Sequence, residues 1–140
     1  VDLDPDVPRL RIDPEQVQQA LLNIALNAME AIDKPEGVLR MHTSLEQDHV
    51  LIEIEDNGCG IPEEDRLAIF EPYNTTKFDG SGLGLMVVFR IITAHRGQIG
   101  IDSEVGEGTV FKVALPLDER PVRLLEDQIP VEEIPTSPSP

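Results

Sequence analysis

The sequence has no tryptophan, a single cysteine and few aromatic residues of any kind. Aromatic residues make up 4% of the 140 positions and hydrophobic residues 40%, so a folded core has to be built from Ile, Val, Leu and Ala. Because Cys59 has no second cysteine to pair with, an internal disulfide framework is excluded and a reducing compartment is indicated. The chain also lacks a run of about 18 apolar residues, which a membrane-spanning helix would need.

Basic residues are also scarce, with 11 Lys and Arg against 27 Asp and Glu and a formal net charge of −16. Nucleic acids and anionic membranes are bound by clustered Lys and Arg, so this composition argues against both as partners. A phosphate-bearing ligand would be repelled at long range. It would therefore need a cation and local backbone donors.

The chain begins at Val1 rather than at methionine, and its opening residues lack the basic start of a signal peptide. Its length is sufficient for one domain with a real core. We therefore expect a cytoplasmic piece of a longer protein. The sequence leaves open whether upstream segments anchor that protein in a membrane.

Prolines, glycines and alternating apolar residues divide the chain into predicted elements. Asp13-Pro14 is a strong helix start, with Asp13 as the N-cap and proline in the first turn. The predicted elements are an edge strand at about 9–12, a helix to about Ile32, a hairpin over 38–46 and 50–56, a loop over 57–82 with one short helix near 63–69, a helix over 83–97 closed by Gly97, and a second hairpin over 98–104 and 108–116.

This order of elements predicts an α/β fold. The expected architecture is a two-layer α/β sandwich, with a mixed, mostly antiparallel sheet and the helices on one face. We predict one domain over residues 1–116. Residues 117–140 are acidic and rich in proline, so we expect a disordered tail or linker there.

A narrow polar stripe runs along the first predicted helix between apolar flanks. Asparagine is a poor helix former, so Asn23 and Asn27 at i, i+4 in mid-helix carry a cost in stability. A solvated face is the simpler interpretation, although such faces are usually built from Glu, Lys and Arg. Amide groups can instead bind hard cations and phosphate oxygens. The stripe consists of Gln16, Gln19, Asn23, Asn27 and Glu30.

The second strand of the first hairpin ends in a carboxylate that points inward. Ile52, Ile54 and Asp56 share one face because side chains alternate along a strand, and the face with the two isoleucines must be the core face. A buried carboxylate requires hydrogen-bond donors. Asp56 therefore either caps a nearby backbone turn or receives an N–H from a ligand, such as the amino group of a purine.

Two glycines follow Asp56 in the stretch DNGCGIP. Gly58 and Gly60 allow the backbone to approach a flat ring closely. We interpret Cys59 between them as a small buried filler rather than as a nucleophile.

Three further glycines precede the second long helix in the stretch DGSGLGL. Free N–H groups at a helix N-terminus bind phosphate, although this signal alone is weak and the P-loop pattern is absent. The polar residues before these glycines lack periodicity and suit a mobile lid. Within the lid, Lys77 is placed to meet a terminal phosphate, or it is simply a solvated lysine.

Five stretches, in this order, resemble the ATP-binding catalytic domain of bacterial sensor histidine kinases, which shares the Bergerat fold with gyrase B, MutL and heat-shock chaperone ATPases. The resemblance covers about residues 9–116, and the short lid is most similar to that of nitrogen-sensor kinases. Any one stretch alone would be weak, but five in the expected elements are specific. QQALLNIALNAMEA resembles the N box, DNGCGIP the first glycine box, IFEPYNTTK the F box, GSGLGL the second glycine box and GEGTVFKVALP the last one.

The resemblance implies ATP and Mg²⁺ as ligands and assigns roles by position. Asp56 would accept a hydrogen bond from the adenine amino group, and Asn27 would bind Mg²⁺. Asn23 and Lys77 would be the catalytic residues beside the phosphates. Thr109 would support Asp56, and Phe70 would anchor the lid. The remaining positions that the resemblance assigns to the nucleotide are Gly58, Gly60, Ile61, Thr76, Gly80, Gly82, Leu83, Gly84 and Leu85.

Two positions depart from the family pattern. Hydrolytic members carry a water-activating Glu where this chain has Asn23, which favours transfer to another acceptor over hydrolysis. Many kinases carry a Lys or Arg near position 30, where this chain has Glu30, which leaves the phosphate side less positive.

The resemblance also implies partners that lie outside this chain. They are a histidine-bearing dimerisation domain upstream and a response regulator receiver domain, with a homodimeric full-length protein and a monomeric fragment. We interpret His42, His49 and His95 as structural, the last one at a helix C-terminus where the helix dipole favours it. Two alternatives stay open, namely an ATPase switch of the same fold and a non-catalytic nucleotide-binding module.

Overall fold

The computed structural model describes residues 1–70 and 84–117. Within them the chain forms two α-helices, two short 3₁₀ turns and four strands. In chain order these are α1 (Pro14–Ala31), β1 (Leu39–Glu46), β2 (His49–Asp56), 3₁₀ turns at Glu63–Asp65 and Ala68–Phe70, α2 (Gly84–Ala94), β3 (Gln98–Glu104) and β4 (Gly108–Pro116).

The four strands form one sheet in the order β1-β2-β4-β3, and every neighbouring pair is antiparallel. Both helices pack on the same core, which confirms the predicted two-layer α/β sandwich. The core of the described ranges is built mainly from Ile, Val, Leu and Ala, as the composition predicts. Its buried members are Val17, Ala20, Ile24, Ala28, Val50, Ile52, Ile54, Val88, Ile91, Ile92, Phe111, Val113 and Leu115.

The predicted edge strand at 9–12 is wrong. Residues near the N-terminus occupy the edge of β1 instead, where Asp2 forms an isolated parallel bridge with His42. The amide N–H of Asp2 donates to the carbonyl oxygen of Met41 at 2.8 Å, and Thr43 N–H donates to the carbonyl of Asp2 at 3.0 Å. With that edge taken, residues 9–12 lead into α1, and their apolar side chains pack against the core. In the described ranges, this bridge supplies the parallel pairing of the predicted mixed sheet.

Helix α1 begins where the sequence predicts. The carboxylate of Asp13 accepts the N–H groups of Glu15 and Gln16 at 3.1 and 3.2 Å, which satisfies two of the donors that a helix start leaves without intrahelical partners. The buried side chains Val17, Ala20, Ile24 and Ala28 recur at helical spacing and hold the helix on the sheet.

Replacing Asp13 with alanine removes this cap. We expect the free energy of unfolding to fall by about 1 kcal/mol, which corresponds to a lowering of Tm by roughly 3–5 °C for a domain of this size. Thermal unfolding followed by circular dichroism measures the shift. Asp13→Asn keeps an acceptor oxygen and should retain most of the stability, so an equal loss in both variants would argue against capping.

Helix α2 ends in a Schellman motif, in which the residue in the left-handed conformation is Arg96 (φ 58°) rather than the predicted Gly97. The N–H of Gly97 donates to the carbonyl of Ile92, and that of Arg96 to the carbonyl of Thr93, both at 2.9 Å. Gly97 is required for another reason, because a β-carbon there would lie 2.7 Å from the carbonyl oxygen of Ala114 in β4.

His95 joins the ends of the two helices. Its Nδ1 lies 2.8 Å from the carbonyl oxygen of Ile91, and the N–H of Asp13 donates to its Nε2 at 3.0 Å. A neutral imidazole with its proton on Nδ1 satisfies both contacts. The structural interpretation of this histidine therefore rests on two hydrogen bonds rather than on the helix dipole.

The last described residue, Leu117, is tied to the first hairpin, because its N–H donates to the carbonyl oxygen of Asp48 at 2.7 Å. Residues 118–140 lie outside the described part, so the predicted boundary and tail stay predictions. In the described ranges, no helix combines the length and hydropathy needed to cross a membrane.

Candidate functional site

Asp56 lies at the end of β2 with its side chain in the interior, as the strand alternation predicts. It is 4% exposed, and its cross-strand partner in β4 is Thr109, which is also 4% exposed. One carboxylate oxygen, Oδ1, accepts the N–H of Gly58 at 2.8 Å. The turn-capping interpretation is therefore correct for one oxygen of this carboxylate, and a ligand role for the group as a whole is compatible with it.

Close packing within the chain explains the two glycines of DNGCGIP. A β-carbon on Gly58 would collide with the carbonyl of Ala31 at the end of α1. Gly60 has φ +76°, and a β-carbon there would collide with the carbonyl of Glu104 at the end of β3. Both glycines are thus needed for the path of the loop backbone itself. Space for a ligand is a separate requirement.

Cys59 is exposed, so the prediction of a buried filler is wrong. Its backbone rather than its side chain is held by the fold: its N–H donates to the carbonyl of Ala31 at 3.0 Å, and its carbonyl accepts the N–H of Gly106 at 2.8 Å. Because both neighbouring glycines turn their backbones against the protein, the side chain between them is left at the surface.

Next to Thr109, a hydroxyl network extends the polar row from β2 through β4 to β3. Ser103 pairs with Thr109 across the strands, and their side-chain oxygens are 2.8 Å apart. Ser103 Oγ also accepts the N–H of Ile61 at 2.8 Å and donates to the carbonyl of Gly108 at 3.0 Å. The neighbouring strands β2, β4 and β3 therefore each carry a polar side chain at the same end of the sheet, namely Asp56, Thr109 and Ser103.

Ser103 was not predicted as a site residue, although the sequence carries a signal for it. In β3, Ile99, Ile101 and Ser103 alternate onto the inner face, just as Ile52, Ile54 and Asp56 do in β2. Arg66 was not predicted either. Its Nη2 donates to the carbonyl oxygen of Ser103, which links the segment between the two 3₁₀ turns to β3.

The two asparagines of the predicted stripe face the start of α2. Asn23 donates from Nδ2 to the carbonyl oxygen of Gly84 at 3.4 Å. The amide nitrogen of Asn27 would be 4.0 Å from a β-carbon placed on Gly84. Both asparagines are half-buried, whereas Gln16, Gln19 and Glu30 are exposed, so the solvated-face interpretation holds only for those three.

Phe70 ends the second 3₁₀ turn and contacts α2. Its ring centroid is 5.8 Å from that of Phe89 in α2, with the rings tilted by 43°. Phe70, Ile61 and Leu85 are all partly buried against the core. The remaining predicted site residues lie outside the described ranges; they are Thr76, Lys77, Gly80, Gly82 and Leu83.

The outer face of the sheet offers a different environment. A groove of about 550 Å³ there is lined in part by Arg40, His42, Glu53 and Glu55. Arg40 lies 3.6 Å from the carboxylate of Glu55, and His42 lies 3.3 Å from that of Asp2. The groove therefore carries no excess positive charge for a phosphate.

The charges on β3 and β4 of the same face are also paired. The hydrogen bond from Lys112 to Asp102, at 2.6 Å, holds the pKa of Asp102 below its ordinary value and raises the pKa of Lys112. Since this pair is exposed, its contribution to stability is small.

Residues 12–119 match the model of the histidine kinase-, DNA gyrase B- and HSP90-like ATPase family. This span contains both helices, all four strands and the polar row that begins at Asp56. The chain belongs to this family.

Curated relatives within the family are sensor kinases. Sporulation kinase E of Bacillus subtilis is 42% identical over 117 residues, which are 84% of this chain and 16% of that protein. The signal transduction histidine-protein kinase AtoS of Escherichia coli is 42% identical over 118 residues, which are 84% of this chain and 19% of the relative. The chain thus spans about a fifth of the length of these relatives.

Solved structures with a similar fold are also histidine kinases. The catalytic domain of histidine kinase ThkA gives a TM-score of 0.72 at 31% identity, covering 82% of this chain and 75% of that one. Full-length ShkA, solved in complex with AMPPNP, gives a TM-score of 0.74 at 31% identity, covering 81% of this chain and 24% of ShkA. Among members of the family, the chain corresponds to the ATP-binding catalytic domain of sensor histidine kinases.

Proposed function

We propose that this chain binds Mg²⁺ and ATP and donates the γ-phosphate to a histidine on a dimerisation domain of the full-length protein. The observation that carries the proposal is the buried Asp56 carboxylate, held by the Gly58 N–H beside Thr109, in a chain of this family. The dimerisation domain and a response regulator are the proposed partners. We further propose a cytoplasmic, homodimeric full-length protein and a monomeric domain over residues 1–116.

Asp56 selects the base in this proposal. A buried carboxylate only accepts hydrogen bonds, so it favours a ligand edge that presents an N–H. Adenine presents an amino group at the position where guanine presents a carbonyl oxygen. Asp56 therefore attracts adenine and repels guanine, and the Thr109 hydroxyl can add a second contact from the next strand.

The phosphates would lie between α1 and the start of α2. Backbone N–H groups at a helix N-terminus favour anions, and Asn23 and Asn27 face this point of α2. Lys77 would contact the γ-phosphate, and the glycines at 80, 82 and 84 would supply backbone donors.

The metal-binding groups of the described residues suit a Mg²⁺ ion that is held by one protein oxygen together with the phosphates of ATP. In the described part of the chain, no group of three or more His, Cys, Asp or Glu could hold a metal ion. Mg²⁺ commonly binds through one or two protein oxygens together with substrate phosphates, and the Asn27 amide oxygen suits that mode. The bound ion would neutralise phosphate charge in a chain whose net charge is −16.

The amide side chain of Asn23 favours transfer of the γ-phosphate to an acceptor over hydrolysis of ATP. An amide cannot accept the proton of an attacking water as a carboxylate can, so Asn23 can position phosphates but cannot act as a general base. The chain's own histidines are engaged in contacts with Asp2, with Asp48 and with helix-end backbone groups. The acceptor is therefore expected on another domain.

Radiolabelled ATP tests this function. Incubated with Mg²⁺ and a histidine-bearing dimerisation domain from a sensor kinase, the chain should phosphorylate that domain, and the label should be acid-labile. The same domain without its histidine should stay unlabelled, and the chain alone should release little phosphate. Rapid phosphate release without an acceptor would favour an ATPase switch instead.

A further inference from the structure

Three exposed arginines lie on the two segments that meet where α1 begins and α2 ends. Arg9 and Arg11 belong to the segment that leads into α1, and Arg96 follows α2. The N–H of Asp13 donates to Nε2 of His95 at 3.0 Å, which joins the two segments. Three of the 11 Lys and Arg of this acidic chain are therefore found at one end of the fold. We call these three residues the arginine cluster.

Two members of the cluster, Arg9 and Arg11, are not neutralised by the described part of the chain. None of the carboxylates described there forms an ion pair with either side chain, whereas the basic residues of the outer sheet face, such as Arg40, are paired. Both arginines are exposed, while their neighbours Leu10 and Ile12 pack against the core. In a chain whose net charge is −16, such a surface favours an acidic partner.

The described part of the chain ends beside this cluster. A β-carbon on Gly97, the residue after Arg96, would lie 3.1 Å from Cδ2 of Leu115 in β4. Leu117, the last described residue, follows two positions later. Thr109, at the candidate nucleotide site, lies near the other end of the same strand. The residues after Leu117 therefore start next to the arginine cluster and at the end of the sheet opposite to the candidate site.

The sequence that follows contains an acidic segment of matching charge. Residues 124–134, LLEDQIPVEEI, carry four acids and no Lys or Arg. The segment begins seven residues after Leu117, and an extended chain of that length spans roughly 23 Å, which is sufficient to turn back to the cluster. A short tether also gives the segment an effective concentration on the order of millimolar, so that weak ion pairs are sufficient for binding.

We propose that residues 124–134 bind back onto the arginine cluster, with their carboxylates against the guanidinium groups. An extended backbone is sufficient for these contacts, so the segment needs no helix or strand of its own. The contact holds the tail at the end of the fold where α1 begins. It is independent of the proposed function, because the candidate nucleotide site lies at the opposite end of the sheet.

Paramagnetic relaxation enhancement tests this contact in the whole chain without nucleotide. A nitroxide is attached at Ser137→Cys in a Cys59→Ser background, three residues beyond the acidic segment. The backbone amides of Ile12 and Gly97, which flank the cluster, should be strongly broadened. That of Gly106, in the turn between β3 and β4 at the opposite end, should not.

Charge reversal separates binding from mere tethering. Glu132→Lys with Glu133→Lys should lower the relaxation enhancement at the Ile12 amide by about 3-fold or more, the size expected for a few exposed ion pairs. Adding Arg9→Glu with Arg11→Glu should restore it, because the charges are then exchanged. Raising the salt concentration from about 0.01 M to about 1 M should also lower it, since the Debye length falls from about 30 Å to about 3 Å.

The matched control reverses two charges on the outer sheet face, with Arg40→Glu and Lys112→Glu. It should leave the relaxation enhancement at Ile12 and Gly97 unchanged, whereas reversal of the two cluster arginines alone should lower it. The tail variant leaves the described part of the chain unaltered, so its result does not depend on how well the cluster variant folds. Enhancement that is insensitive to the charge of the tail would overturn the proposal and show that the arginines are simply solvated.

Discussion

Asp56→Asn is expected to weaken ATP binding by roughly 10- to 100-fold while leaving the fold intact, the range expected for losing a hydrogen bond to a charged group. The variant keeps the Oδ1 oxygen that accepts the Gly58 N–H, so the loop should stay in place. It replaces the second oxygen with an NH₂ group, which would face the adenine amino group in the proposed complex. Two donors would then meet where the proposed complex has a donor and an acceptor.

Calorimetric titration with ATP measures the effect, and thermal unfolding checks the fold. Asp102→Asn is the matched control, because it makes the same change in β3 on the exposed outer face, where the carboxylate pairs with Lys112. Its ATP affinity should equal that of the unmodified chain. An Asp56→Asn variant that binds ATP with unchanged affinity would refute the adenine assignment.

Asn27→Ala is expected to lower the rate of phosphoryl transfer by roughly 100-fold, since it removes a proposed Mg²⁺ ligand at the point where transition-state charge develops. Alanine is the best helix former, so α1 should not be destabilised. We expect Mg²⁺ to raise the ATP affinity of the unmodified chain, and this gain should also disappear in the variant. Transfer assays and titrations with and without Mg²⁺ measure the two effects.

Gln18→Ala provides the control on the same helix. Gln18 carries the same amide group, but it is exposed and lies outside the stripe. Its transfer rate and Mg²⁺ dependence should match those of the unmodified chain. If Asn27→Ala behaves like Gln18→Ala, the metal role of Asn27 is wrong.

Local signals in the sequence predicted most of the helices and strands. The Asp13-Pro14 start of α1 and the alternation in both hairpins depend on neighbouring residues, and the structure confirms them. The same alternation predicted that Asp56 is buried. These features follow from local geometry, which a sequence records directly.

Features that depend on distant contacts were predicted poorly. The edge of β1 is occupied by Asp2, some 40 residues away along the chain, and not by residues 9–12. Gly58 and Gly60 are constrained by the carbonyls of Ala31 and Glu104, which only the fold brings near. The exposure of Cys59 follows from that same packing.

The site itself was predicted in part. The resemblance to the kinase family named Asn23, Asn27 and Asp56. The structure places the two asparagines on α1, facing the start of α2, and buries the aspartate at the end of β2. It did not name Ser103, whose importance lies in three hydrogen bonds to other segments. The ligand roles of all these residues stay predictions.

The most direct test of the account is the map of amide chemical-shift changes when ATP and Mg²⁺ are added to the chain in heteronuclear NMR spectra. Saturable changes are expected at the backbone amides of Gly58, Ile61 and Thr109 and at the side-chain amides of Asn23 and Asn27. Residues of the outer groove, such as His42 and Glu55, should be unaffected. An absence of changes at saturating ATP, or changes confined to the outer groove, would contradict it.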